Sequence, residues 1–197
     1  HIRDDFERIV ADLDEPFADP SSFPLWYIAR AASQHVKVVL GGDGGDELFA
    51  GYKRYDKHLR SAWRRGLRLP LPAVASHAKS AKLLDELRLD WLSAYALRFS
   101  GMPPAQRRFL QPALTSVPAV YWDRMPADTT EPLRALLETD MHNYLPEYIL
   151  RKGDLCTMAH GLELRVPLLD HRLYQSVLAL PDAERFTRPR KLALAAA

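Results

Sequence analysis

Apolar positions recur at helical spacing along most of the chain, and only once do they run nearly unbroken. Residues Asp4 to Leu13 set Phe6, Ile9, Val10 and Leu13 on one face, and Pro24 to Gln34 set Leu25, Ile28, Ala29 and Ala32 on another, which predicts two helices. Between that second helix and a glycine cluster, Val36 to Leu40 is apolar at every position but Lys37. Such a run predicts a parallel strand covered on both faces. Further on, Ala81 to Phe99 predicts two helices and Pro103 to Leu110 another. Glu131 to Leu145 predicts a longer one, with Leu133, Leu136, Leu137, Met141 and Tyr144 at helical spacing. Trp63, Trp91 and Trp122 are expected to pack this array. The fold class expected is α/β, predominantly helical, with Val36 to Leu40 as the principal strand. No repeat, low-complexity stretch or flexible linker divides the chain, so residues 1–197 read as one domain.

Charge changes that picture in one place. Lys53, Arg54, Lys57, Arg60, Arg64, Arg65 and Arg68 crowd one segment, either as an electropositive wall facing an anion or as a solvated helix face. The solvated face is the more ordinary arrangement, because charge runs usually meet water. Lys53 and Arg54, next to the glycine cluster, are the two to follow, and Pro70-Leu71-Pro72 is expected to end that helix. A chain of 197 residues with 47% hydrophobic content can bury one sizeable core, and a formal charge of +2 gives no case for nucleic acid. Neither a signal-like start nor a bilayer-length apolar run is present, so no membrane partner and a cytoplasmic location are expected. The single cysteine, Cys156, lies in an apolar-periodic segment and reads as a small buried filler. The seven histidines lack the spacing of a zinc site.

The candidate chemistry sits where the strand ends. In Val36-Lys37-Val38-Val39-Leu40-Gly41-Gly42-Asp43-Gly44-Gly45-Asp46-Glu47-Leu48-Phe49-Ala50-Gly51-Tyr52, four glycines surround two aspartates before an apolar, helix-compatible segment resumes. Glycines free the backbone N–H groups to face an anion, and a helix start adds its positive end. Two carboxylates suit a polyphosphate only with Mg²⁺ between them, because hard divalent cations take carboxylate and phosphate oxygens together. A plain strand-to-helix turn with aspartate capping is the other reading of the same residues.

The stretch Val38 to Tyr52 closely resembles the second nucleotide-loop motif of glutamine-hydrolysing asparagine synthetases. Leu13-Asp14-Glu15-Pro16-Phe17-Ala18-Asp19-Pro20-Ser21 looks like that family's segment before the strand, and Asp154 to His171 looks like its downstream signature. The three motifs stand in the family's order, and the resemblance runs from about Asp14 onward. It implies part of an adenine nucleotide alpha hydrolase-like (ATP pyrophosphatase) domain, with most sheet strands in sequence before His1. Neither the catalytic cysteine of a glutaminase domain nor a Ser-Gly-Gly-x-Asp-Ser loop is in the chain, so the chain reads as an internal piece of a synthetase domain. Unpaired strand edges would then recruit a second copy, as a homodimer, or be covered by helices.

The activity implied is ATP-dependent. The β-carboxylate of aspartate attacks the α-phosphorus of ATP, magnesium pyrophosphate leaves, and ammonia from the glutaminase domain displaces AMP from β-aspartyl-AMP. By motif position Asp46 resembles the Mg²⁺ ligand, and Gly41, Gly42, Gly44 and Gly45 resemble backbone contacts to ATP. Asp43 resembles the catalytic acidic residue, where many family members carry glutamate. Relatives that amidate cell-envelope or secondary-metabolite precursors, or close β-lactam rings, give a second reading with another carboxylate acceptor. A helical scaffold without chemistry is a third. In the downstream signature, Glu163, Arg165 and Asp170 are expected to form a buried ion-pair network, with Asp154 left open as a substrate contact.

Overall fold

The computed structural model describes residues 2–64, 69–72, 79–99, 101–113 and 122–186. They gather into two compact units, one formed by His1–Gly51 with Tyr144–Ala197 and the other by Tyr52–Asn143. The first unit opens with α1 (Ile2–Asp12) and α2 (Ser22–Ala32), then β1 (Val38–Leu40) and the single turn α3 (Gly45–Leu48). Asp14, just past α1, has a φ of 61°, a left-handed conformation that aspartate tolerates better than most residues.

The chain then forms the second unit. Its helices are α4 (Lys53–Leu59), α5 (Lys79–Arg88), α6 (Trp91–Ala96), α7 (Pro104–Leu110) and α8 (Pro132–Thr139). Asp90 caps α6 by accepting from the Ser93 amide at 3.0 Å, and Asp85 receives both the Ala105 amide and Arg108 at 2.7 Å. Helix α4 ends at Leu59, before the proline run expected to stop it, and residues 65–68 of the basic run lie outside the described residues. Trp91 packs inside as expected, and Trp122 stacks on Phe99 with ring centres 4.6 Å apart. Trp63 does not pack: it is 77% exposed.

The predicted helix from Glu131 does not run on as an α-helix to Leu145. After Thr139 the winding becomes π-helical from Asp140 to Leu150. Pro146 lies inside this stretch. A proline removes one donor and crowds the carbonyl four residues back, and wider winding relieves that crowding. Back in the first unit follow α9 (Arg151–Met158), β2 (Glu163–Arg165), α10 (His171–Leu178) and α11 (Asp182–Arg185).

One core cluster of the first unit is Ile9, Leu13, Trp26 and Cys156. Trp26 is fully buried, and its Nε1 donates to Asp12 at 2.8 Å, so its one polar atom is satisfied. Seating this large ring turns α2 away from the predicted face: Trp26 and Ala29 point inward while Ile28 is 64% exposed. On α1, likewise, Ile9 and Leu13 are buried while Phe6 and Val10 are half exposed.

The strand differs from expectation in two ways. It is shorter, Val38–Leu40, and its partner lies downstream in the chain. β1 pairs in parallel with β2, with Val38 opposite Glu163, Val39 opposite Leu164 and Leu40 opposite Arg165. It is also not covered on both faces, since Val38 is exposed and Leu40 is 73% exposed. A sheet of two strands alternates its side chains, and here the described helices cover one face only. On that face Leu164 fits because two neighbours have no side chain. A Cβ on Gly153 of α9 would meet Leu164 at 2.6 Å, and one on Gly41 would meet it at 3.0 Å.

Candidate active site

The glycine cluster is a tight turn between β1 and α3, and the four glycines differ in what they do. The Gly41 amide extends the sheet by donating to the Arg165 carbonyl at 2.8 Å, and the Gly45 amide turns back to the Gly42 carbonyl at 3.4 Å. Gly44 has a φ of 89°, and a Cβ there would lie 2.3 Å from Leu169. It is glycine for two reasons, conformation and contact. Gly42 is different, because a Cβ on it would meet nothing within 4 Å. The amides of Gly42, Asp43 and Gly44 take no backbone acceptor among the described residues, so they are the donors this turn can offer an anion. Helix α3 has only four residues, too few for a strong dipole, and the expected helix-end contribution is correspondingly small.

Beyond α3 the turn is tied down from both sides. The Gly51 amide donates to the Asp46 carbonyl at 2.9 Å, and Arg185 Nε donates to the Leu48 carbonyl at 2.7 Å. Asp46 itself is half-buried. Mg²⁺ commonly takes one or two carboxylates plus phosphate oxygens, so the Asp46 carboxylate and the amides of the same turn are donor types that fit Mg²⁺ with a polyphosphate.

Asp43 opens on a cavity of about 590 Å³, walled by α2, β1, β2 and α9. Most of the wall is apolar, and its only charged side chains among the described residues are Asp43 and Lys152. Burial pushes the Asp43 carboxyl above the ordinary carboxylate value, and the Lys152 ammonium pulls it back part of the way. Lys152 is itself anchored. Its Nζ donates to Asp19 Oδ2 at 2.9 Å and to Ser21 Oγ at 2.8 Å. Burial would raise the Asp19 carboxyl, but the hydrogen bonds from Lys152 and Ser21 outweigh it and hold the group below its ordinary value. Sequence reasoning missed Lys152. The available signal was a cation next to Gly153 and four residues before Cys156, small residues on the buried side of a helix.

The downstream signature behaves otherwise than expected. Glu163 and Arg165 do pair, at 2.8 Å, but both are more than half exposed and the pair is not a buried network. They are outward positions of β2, whose inward residue is Leu164. Asp170 joins no ion pair among the described residues: its carboxylate accepts from the Arg172 and Leu173 amides and caps α10. Asp154 is exposed on α9 and does not line the cavity. Cys156 is fully buried, with its thiol pushed up to about 11 by burial, as a filler would be.

Within the second unit, Lys53 is exposed and Arg54 is neither a solvated side chain nor an anion-facing wall. Its guanidinium donates to Asp140 Oδ2 at 2.7 Å and to the Tyr95 hydroxyl at 2.9 Å, and lies over the Tyr52 ring. Tyr55 and Tyr95 donate to the same Asp140 oxygen, at 2.7 and 2.8 Å. Asp140 is fully buried, and removing one partner from such a charge costs about 3–5 kcal/mol. Arg54 is thereby committed to holding α4 and α6 on this carboxylate.

Comparison with known proteins places the whole chain in one family. The sequence model for asparagine synthase matches residues 1–197. A protein of Mycobacterium tuberculosis named "Putative asparagine synthetase [glutamine-hydrolyzing]" is 35% identical over 92% of this chain and 30% of its own length. Asparagine synthetase [glutamine-hydrolyzing] 1 of Bacillus subtilis is 30% identical over 89% of this chain and 30% of its own length. The amidase chyE of Penicillium rubens is 26% identical over 90% of this chain and 31% of its length. The chain thus spans about a third of each of these relatives. With the match running through both units, the chain belongs to the asparagine synthase family.

Proposed function

We propose that the chain is part of the ATP pyrophosphatase-like domain of a cytoplasmic, glutamine-hydrolysing asparagine synthetase. Aspartate is activated as β-aspartyl-AMP and then aminolysed by ammonia from a glutaminase domain. The observation that carries this reading is the turn itself, in which Asp43 faces a cavity of substrate size while Asp46 lies three residues further on. A scaffold would have no need of two carboxylates in a tight glycine turn.

Each group then has a task. The amides of Gly42, Asp43 and Gly44 cradle phosphate oxygens, while Gly41 and Gly45, whose amides are engaged, shape the turn. Asp46 holds the Mg²⁺, which when bound supplies the positive charge that neutralises departing pyrophosphate. Asp43 accepts a proton from the attacking ammonia. Burial raises its basicity toward the working pH, which favours general-base catalysis. A related amidotransferase with another carboxylate acceptor is the second reading, supported by the likeness to the Penicillium amidase.

The test compares two substitutions in a full-length protein bearing this chain. Asp46→Asn removes a hard anionic ligand at constant size, so the Mg²⁺ requirement for pyrophosphate release should rise. Asp43→Asn should leave that requirement nearly unchanged and slow amide formation. Wild-type rates for both variants at limiting Mg²⁺ and limiting ammonia would reduce the loop to a structural turn. Exchange driven by a different carboxylate, and not by aspartate, would select the second reading.

A further inference from the structure

The cavity beside Asp43 contains one charge that the proposed chemistry does not yet use. Lys152 and Asp19 are only 15% and 11% exposed as side chains, so forming their pair removes most of the hydration from both. That desolvation offsets much of what the pair contributes, and buried pairs are a weak source of stability. The arrangement has a feature that stability alone would not call for. An ammonium carries three N–H donors, and the described residues accept two of them, Asp19 Oδ2 and Ser21 Oγ. One donor is left, on a side chain that lines the same cavity as Asp43.

Charge balance points the same way. Both reactants proposed for this cavity are anionic, and Asp43 alone would repel them. Lys152 is the one cation among the described lining residues, and its charge is felt at the Asp43 carboxylate. We propose that Lys152 is a substrate-binding residue whose ammonium donates to an anionic oxygen of the reactants, while Asp19 and Ser21 act as positioning residues that aim it. The inference rests on the reading of the site as one that activates a carboxylate with ATP. The shared chemistry is an oxyanion, with two sources: a phosphate of ATP or a carboxylate of the acceptor.

Aspartate-dependent ATP–pyrophosphate exchange by a full-length protein bearing this chain separates them. Lys152→Met should raise the KM of one substrate roughly ten- to a hundredfold, the range for losing a hydrogen bond to a charged group. A rise for ATP marks phosphate as the partner, and a rise for aspartate marks the carboxylate. Lys152→Arg should recover most of the loss. Asp19→Asn keeps the ammonium and removes its anchor, so it should raise the same KM by a smaller factor. It also serves as the deciding variant should Lys152→Met not fold. The proposal is overturned if both KM values stay at wild type in these variants, or if kcat alone falls equally in Lys152→Met and Lys152→Arg. A wild-type protein without aspartate-dependent exchange would instead overturn the functional reading beneath it.

Discussion

At the scale of single residues, burial decides which groups titrate. His58 is almost fully buried, with Nε2 2.9 Å from the Trp91 carbonyl and Nδ1 3.5 Å from Arg98. Those neighbours fit one neutral tautomer, in which Nε2 donates to the carbonyl and Nδ1 accepts from the guanidinium. Burial lowers its pKa from 6.5 to about 4. The unfolded chain therefore binds a proton that the folded chain refuses between those two values. Stability from this residue is complete above pH 6.5 and is lost as the pH falls toward 4, by up to about 3 kcal/mol. Denaturant titrations at pH 7 and pH 5 should show that loss, and His58→Gln, which can still donate to the Trp91 carbonyl, should flatten it. An equal loss in the variant would assign the pH dependence to other groups. The glycine turn that carries Asp43 and Asp46 was legible in the sequence because its residues are consecutive. Lys152 was not legible, since Asp19 and Ser21 reach it from the other end of the chain.

At the scale of elements, the turn after β1 separates shape from binding. Gly44→Ala would force a methyl into Leu169 at a left-handed φ, so it should lower stability by roughly 1–3 kcal/mol and lose activity with it. Gly42→Ala enters open space and should leave the melting temperature nearly unchanged. Because Gly42 lines the cavity, the same methyl should nevertheless raise the KM for ATP. A Gly42→Ala protein with unaltered ATP kinetics would remove this glycine from the nucleotide cradle. Helices with apolar residues at helical spacing were read correctly as elements, even short ones, as α5, α6 and α7 show. The failures have separate causes. β2 has three residues and one inward side chain, too little for any periodic signal. The π-helical winding around Pro146 depends on relieving a local clash, which an apolar pattern does not encode.

At the scale of the whole molecule, the exposed row of Val36, Val38 and Leu40 beside Ile28 is the largest mismatch with a self-sufficient fold. The isolated chain should be silent in ATP–pyrophosphate exchange, because positioning of both reactants supplies much of the rate and the chain spans about a third of its relatives. It should also self-associate, and Leu40→Lys should reduce that association in sedimentation. Exchange by the isolated chain at the rate of a full-length protein would show that the active site had been misplaced. The parallel pairing of β1 with β2 has a consequence for how such a protein diversifies. The two strands meet only after the whole of Tyr52–Asn143 has been threaded between them. Closing that loop is slow, yet its entropic cost grows only logarithmically, and doubling the loop adds about 0.6 kcal/mol. Insertions and deletions in the intervening unit therefore hardly burden the strand pair that carries the glycine turn. Evolution is free to lengthen, trim or remodel that unit while the β1–β2 pairing stays in register.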